Sequence, residues 1–100
     1  MTKVGSRVGA ILGTEGKNVK LLGYGVYEGD FVPDQSCGGM GAILSEAGII
    51  NPRIKLDSDK FVYGCECWWG PEDLVKAKII SCQANGYNII NVEIDEERAR

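Results

Sequence analysis

The 100-residue sequence predicts an α+β domain over residues 1–100, built on a curved, mostly antiparallel sheet of about five strands with two helices. The expected order is strand, strand, helix, strand, strand, helix, strand, and a partly open small barrel is the nearest alternative. Three observations lead there. Apolar residues alternate with period two from Arg7 to Gly13 and again from Tyr87 to Ile94; they recur at helical spacing after Gly39 and after Pro71; and short polar turns join consecutive strand candidates.

Val8, Ala10 and Leu12 oppose Arg7, Gly9 and Ile11 in the first strand, and Val19 to Glu28 is a second apolar and aromatic run. The five residues Thr14 to Asn18, with Gly16 at their centre, fit a hairpin loop, so these strands are expected to be antiparallel neighbours. Gly23, Gly25 and Gly29 interrupt the second strand. Interior glycines of this kind mark a bulge, a bend, or a place where another backbone or a ligand comes close.

Asp30 to Gly39 contains Pro33 and Cys37-Gly38-Gly39 and is expected to be a surface loop. Met40, Ile43, Leu44 and Ala47 share one helix face, expected to be core, with Gly48 as the left-handed residue that ends the helix. Asn51-Pro52 punctuates the chain, and Arg53–Leu56 and Lys60–Trp69 then form a second hairpin about Asp57-Ser58-Asp59. In the longer of these strands Phe61, Tyr63, Cys65, Cys67 and Trp69 would point one way and Val62, Gly64, Glu66 and Trp68 the other.

Gly70-Pro71-Glu72-Asp73 is a helix start, because Pro suits the first turn and two carboxylates complement the positive end of the helix dipole. The helix is expected from about Pro71 to Ala84, stopping at Asn85-Gly86, with Leu74, Val75, Ile79 and Cys82 on its apolar side. Tyr87 to Ile94 follows as a strand with Ile90, Val92 and Ile94 inward. Asp95 to Arg100 is a solvated end with at most a helical turn.

Composition narrows the function. Eleven Lys and Arg against fourteen Asp and Glu give a net charge of −3, which argues against a nucleic-acid polymer as the partner, since that affinity rests on clustered cations. No window approaches the roughly 18 consecutive apolar residues of a membrane span, and Met1 to Arg7 lacks the apolar run of a signal peptide, so a cytoplasmic protein without a membrane partner is expected. Histidine is absent, which removes the commonest general base and metal ligand. The four cysteines, Cys37, Cys65, Cys67 and Cys82, are then expected to be free thiols. Cys65-Glu66-Cys67 lacks the two-residue spacer of a zinc knuckle, and Cys37 and Cys82 complete no recurrent pattern, so core packing is expected and no metal or cofactor.

Two stretches concentrate chemistry. Gly23-Tyr24-Gly25-Val26-Tyr27-Glu28-Gly29-Asp30 and Gly64-Cys65-Glu66-Cys67-Trp68-Trp69-Gly70-Pro71-Glu72-Asp73 both join aromatics, glycines and carboxylates at a strand end. Adjacent tryptophans on one strand take opposite faces, so one anchors the core and the other meets solvent or a partner; Tyr24 and Tyr27 repeat the arrangement. The expected binding residues are Tyr24, Tyr27, Trp68 and Trp69 as a platform for a planar ring, Asp30 and Glu66 as hydrogen-bond acceptors, and Arg53 and Lys55 for phosphate. Coverage of both aromatic faces within a homo-oligomer is the competing expectation, compatible with the first. Glu28, Asp30, Glu66, Glu72 and Asp73 would be the carboxylates of a small hydrolase, but their spacing fixes no acid and base pair, and no catalytic residue is assigned.

These two stretches, separated by Asn51-Pro52-Arg53-Ile54-Lys55-Leu56-Asp57, resemble small hypothetical proteins of bacteriophages and mobile elements. The likeness runs from the second strand to the start of the second helix. By class it is similar to viral counter-defence proteins, the sponges that sequester nucleotide signals and the inhibitors, of the anti-CRISPR kind, that cap a host defence protein. Together with the residue reading, the resemblance leads to the expectation of a non-enzymatic, oligomeric binding protein of the host-cell cytoplasm, with a nucleotide-like ligand as the leading partner and a host defence protein as the second; a carboxylate-dependent hydrolase, suggested by the acidic residues alone, comes third.

Overall fold

The computed structural model describes residues 2–34 and 40–99; Cys37, with the rest of the segment 35–39, lies outside the described residues, as does the side chain of Met40. The fold is α+β. Strands β1 (Arg7–Glu15), β2 (Asn18–Phe31), β3 (Asn51–Leu56), β4 (Phe61–Tyr63), β5 (Trp68–Pro71) and β6 (Asn88–Asn91) form one sheet, with helices α1 (Met40–Ala47), α2 (Glu72–Ala84) and α3 (Ile94–Arg98). Strand order is β4-β3-β2-β1-β5, antiparallel throughout, and β6 adds to β2 in parallel.

The first hairpin is tighter than expected. Glu15 pairs with Asn18, leaving Gly16-Lys17 as a two-residue turn in which Gly16 has φ of 60° while Lys17 does not take positive φ. That combination suits the right-handed twist of the flanking strands. Beyond it β2 bends along its length: its register with β1 shifts between Leu21 and Gly23, where Gly23 has φ of 129°, and its register with β3 shifts at Glu28, next to Gly29 at φ 102°. Gly25 serves a different end, since a Cβ there would run into the Lys55 carbonyl. The glycines of this stretch therefore bring backbone to backbone at bulges and a strand crossing.

Lys60 to Trp69 is two strands and not one. Glu66 N–H donates to the Tyr63 carbonyl at 2.9 Å, and the Glu66 carboxylate accepts from the Tyr63 N–H at 3.1 Å, closing a turn after β4. β4 and β5 then join opposite edges of the sheet. Four strand gaps of a flat sheet span about 19 Å, whereas the five residue steps from Tyr63 to Trp68 reach at most about 17 Å. The sheet must curl, yet β4 and β5 do not pair, so it stays open and does not close into a barrel.

The curl gives two apolar layers. Val8, Ala10, Leu22, Ile54, Leu56, Val62 and Ile94 form the inner one, with Tyr27, Cys67, Trp69 and Val92 packed against it; Ile11, Val19, Leu21 and Val75 form the outer one beneath α2. Helices thus lie on both faces, because Ile94 at the start of α3 enters the inner layer while α2 covers the outer one. The last strand is correspondingly shorter than its hydrophobic run. Ile89 faces the α2 side and Ile90 is exposed, and Val92 and Ile94 cross to the inner layer once the chain passes the sheet edge. Its parallel pairing follows from α2, which carries the chain from β5 across β1 and β2.

Two expected core faces are corrected. Ile43 of α1 is 60% exposed and Ala47 is exposed, although Gly48 ends the helix as expected, with φ of 69° and the Ile49 N–H donating to the Leu44 carbonyl at 2.9 Å. On α2 only Val75 is buried, with Ile79 and Cys82 partly so, while Leu74 is 61% exposed. Among the described residues no helix is long and apolar enough to cross a membrane.

Candidate functional site

The two tryptophans of β5 take opposite faces. Trp69 packs on the inner layer and stacks on Tyr27, with ring centroids 5.2 Å apart and planes inclined by 20°. The Tyr27 hydroxyl donates to Asp30 Oδ1 at 3.0 Å, and desolvation, with that carboxylate adding to it, raises the phenol above its ordinary pKa. Trp68 turns to the α2 face and is 47% exposed, with Lys78 Nζ 4.9 Å from its ring centroid. Tyr24 lies on that same face under Lys76, 5.5 Å from its ring centre. Between them Val75 of α2 seats on Gly9, the residue paired with Tyr24 on one side and Gly70 on the other. A Cβ at Gly9 would lie 2.8 Å from Tyr24 Cδ1 and 2.9 Å from Val75 Cγ1, so the absence of a side chain there is what admits the helix.

The remaining expected site residues lie elsewhere. Glu66 sits in the turn after β4 with its side chain 9% exposed, bound by Arg98 through Nε–Oε2 and Nη2–Oε1 contacts of 2.7 Å each. Arg53 and Lys55 project from β3 opposite the core residues Ile54 and Leu56. The Arg53 guanidinium donates to Glu28 Oε1 at 3.0 Å and lies 3.6 Å from the Phe31 ring centroid and 4.8 Å from that of Phe61. Lys55 reaches Asp59 at 3.9 Å. The eight residues therefore do not form a single surface: Tyr27, Trp69 and Asp30 meet on one side, Tyr24 and Trp68 share the other, Arg53 and Lys55 occupy the outer half of the sheet, and Glu66 belongs to a clamp.

The carboxylates are likewise distributed over separate ion pairs. Glu28 is held by Arg53, Glu66 by Arg98, and Glu72 by Arg7 and Lys76. Hydrogen bonds from Lys76 and Arg7 hold Glu72 below the ordinary carboxylate range. Burial, followed by the charge of Glu66, pushes the Cys67 thiol up to about 12, and burial raises Cys65 as well. Thiols so placed stay protonated near neutral pH and are poor ligands and nucleophiles. Cys65, Cys67 and Cys82 are free, and among the described residues no three Cys, Asp or Glu side chains gather to hold a metal ion.

Sequence reasoning missed one group. The rings of Phe31 and Phe61 both lie against the Arg53 guanidinium while remaining exposed, and Val32, Ile49 and Ile50, which flank the paired residues Phe31 and Asn51 in sequence, are exposed too. The signal was the occurrence of apolar pairs, Phe31-Val32 and Ile49-Ile50, at strand ends where no alternation continues into a core. Phe61 also walls a cleft of about 280 Å³ beside β4. An arginine in contact with two exposed aromatics is the composition of an interface hot spot.

No known protein family, curated protein or solved structure matches the chain. Fold and site together define an α+β protein with a curled open sheet, whose outer half carries an exposed cluster of aromatics around an arginine.

Proposed function

We propose that the chain is a non-enzymatic binding protein that docks on another protein through the outer half of its sheet, with Phe31, Arg53 and Phe61 at the centre of contact and Val32, Ile49 and Ile50 around them. The carrying observation is the guanidinium in contact with two exposed phenyl rings. It is pre-ordered by Glu28, and Val32, Ile49 and Ile50, exposed apolar residues, flank the strand ends beside it in sequence. The resemblance to phage and mobile-element proteins makes a host defence protein the partner such an inhibitor would meet.

A nucleotide-like ligand draws less support from the geometry. One tryptophan stacks within the protein's own inner layer, the other ring and Tyr24 are approached by lysines of α2, and the glycines of β2 serve the backbone. Exposed Trp68 is the residue that such a ligand would use. Calorimetric titration against cyclic and linear nucleotides separates the readings: absence of saturable heat is expected, and saturable binding lost in Trp68→Ala would replace docking by sequestration. Docking requires that a stoichiometric complex with a purified partner be lost in Phe31→Ser while that variant keeps the wild-type melting temperature within a few degrees. Dimers seen by sedimentation and abolished by the same substitution would instead place a second copy of the chain on this face.

A further inference from the structure

An open sheet has outer strands whose backbone groups need an answer, and the three outer strands of this one are treated differently. β4 is capped by side chains. Its Phe61 carbonyl accepts from Arg98 at 3.1 Å, and its Tyr63 N–H donates to the Glu66 carboxylate at 3.1 Å. β5 ends on Pro71, which has no N–H to offer a further strand. β6 has neither device. Asn88-Ile89-Ile90-Asn91 carries no charge and no proline, and among the described residues its one strand partner is β2.

The parallel ladder fixes which groups of β6 face outward. The Asn88 N–H donates to the Lys17 carbonyl at 2.8 Å and the Val92 N–H to the Leu21 carbonyl at 3.0 Å, so Ile90, midway, also turns its backbone to β2, while Ile89 and Asn91 turn theirs away. These two are spaced to meet an antiparallel copy of the same strand. With Ile90 on a twofold axis, Ile89 faces the partner's Asn91 and Asn91 faces the partner's Ile89, and each pair exchanges both of its N–H and C=O bonds. Ile90, 40% exposed in the single chain, then meets the partner's Ile90 as a pair without hydrogen bonds, where side chains approach most closely. The same register carried outward sets Tyr87 opposite the partner's Glu93, whose backbone is still extended, with φ of −98° and ψ of 128°. Lys17 Nζ lies 4.8 Å from the Tyr87 ring centroid, and neither Lys17 nor Glu93 has an ion-pair contact among the described residues. Self-pairing thus brings opposite charges together at both ends of the contact.

We propose that β6 takes a second copy of this chain: two β6 strands join antiparallel about a twofold axis at Ile90, and the two sheets become one. The symmetric register commits the edge to a copy of itself, since it satisfies the outward groups of Ile89 and Asn91 and supplies Lys17 and Glu93 with each other. Both copies use the same strand, so the contact closes at two and leaves no β6 edge for a third. It is independent of the docking surface, because β6 lies along the first residues of β2 and Phe31 is the last.

Sedimentation equilibrium of the full chain at rising concentration should show a reversible monomer to dimer equilibrium. Ile90→Lys sets like charges face to face on the axis and should leave a folded monomer with a melting temperature near that of the wild type. Glu93→Gln should weaken the dimer by about two- to five-fold, the worth of an exposed ion pair made twice. A covalent readout fixes the register. The Cα atoms of a cross-strand pair without hydrogen bonds lie about 4.5 Å apart, within reach of a disulfide. Mild oxidation should therefore link Ile90→Cys into dimers and leave Asn88→Cys, which would face the partner's Val92, unlinked. Monomer at every concentration overturns the inference, as does linkage of Asn88→Cys as readily as Ile90→Cys. A dimer lost in Phe31→Ser but kept in Ile90→Lys also overturns it and puts the second copy on the docking surface. The opposite result, a dimer kept in Phe31→Ser and lost in Ile90→Lys, is the one expected, and it holds whether or not another protein docks at Phe31.

Discussion

Trp68 and Trp69 are covalent neighbours with opposite fates, because one step along a strand reverses the side chain. Trp69→Ala removes the stacking with Tyr27 and leaves a void in the inner layer. It should cost about 3 kcal/mol of stability, at the low end for a buried aromatic since the ring is only half-buried. Trp68→Ala, on the exposed side, should cost less than about 1 kcal/mol. Urea denaturation of both variants checks the pair, and equal losses would mean that the two rings share one environment. Cys67 supplies a second expectation. With its thiol pushed up to about 12, iodoacetamide at pH 8 should leave Cys67 unlabelled in the native protein and label it once urea exposes it, as read by peptide mass.

Between single residues and the whole fold stand the connections that hold elements in place. The turn after β4 is fastened to α3 by Glu66 and Arg98, and Arg98 also donates to the Phe61 carbonyl at 3.1 Å. A helix of five residues cannot support itself in water, so α3 owes its position to this clamp and to Ile94. Arg98→Met leaves the Glu66 carboxylate, 9% exposed, without its cation. A loss of about 2–3 kcal/mol is expected, less than for a fully buried pair. Hydrogen exchange should quicken first in residues 94–98 and in the turn 64–67; uniform quickening would show the clamp to be merely global. Gly9→Val tests the seating of α2, since its Cβ would meet both Tyr24 and Val75, and over-packing of that kind costs about 1–3 kcal/mol.

At the scale of the molecule, exposed ion pairs tie distant parts of the chain together. Arg7 at the start of β1 donates two 2.7 Å bonds to Asp57 in the β3–β4 turn and one of 3.0 Å to Glu72 at the head of α2. Arg7 holds Asp57 below its ordinary pKa, hydrogen bonds from Lys76 and Arg7 do the same for Glu72, and Lys60 does so for Asp95. A carboxylate with a depressed folded pKa binds its proton more readily in the unfolded chain. These pairs therefore stabilise the fold above the ordinary carboxylate values of 3.8 and 4.5, and the contribution disappears as pH falls through the lowered folded ones. The urea midpoint should drop between about pH 5 and pH 2, and Arg7→Gln should flatten that drop while lowering the midpoint at neutral pH. An unchanged slope would show that Arg7 contributes no pH-dependent stability.

What local chemistry fixes was legible before any coordinates. Alternation placed β1, the turn at Asp57-Ser58-Asp59 ended β3, Gly48 and Gly86 ended their helices, Pro71-Glu72-Asp73 began α2, and the tryptophan pair had to divide between two faces, because each follows from torsion angles and nearest neighbours alone. Distance in sequence hid the rest. The break between β4 and β5 depends on Glu66 meeting Arg98, thirty-two positions away. The exposure of Ile43 and Leu74 depends on what packs against them, which helical spacing does not report. The parallel pairing of β6 with β2 depends on where α2 carries the chain. The clustering of Phe31, Arg53 and Phe61, drawn from three strands, depends on their register. Residue type and local torsion set the faces and ends of the elements, while the curl of one sheet around its inner layer, a balance of contacts between remote segments, decided which faces are buried and which remain available to a partner.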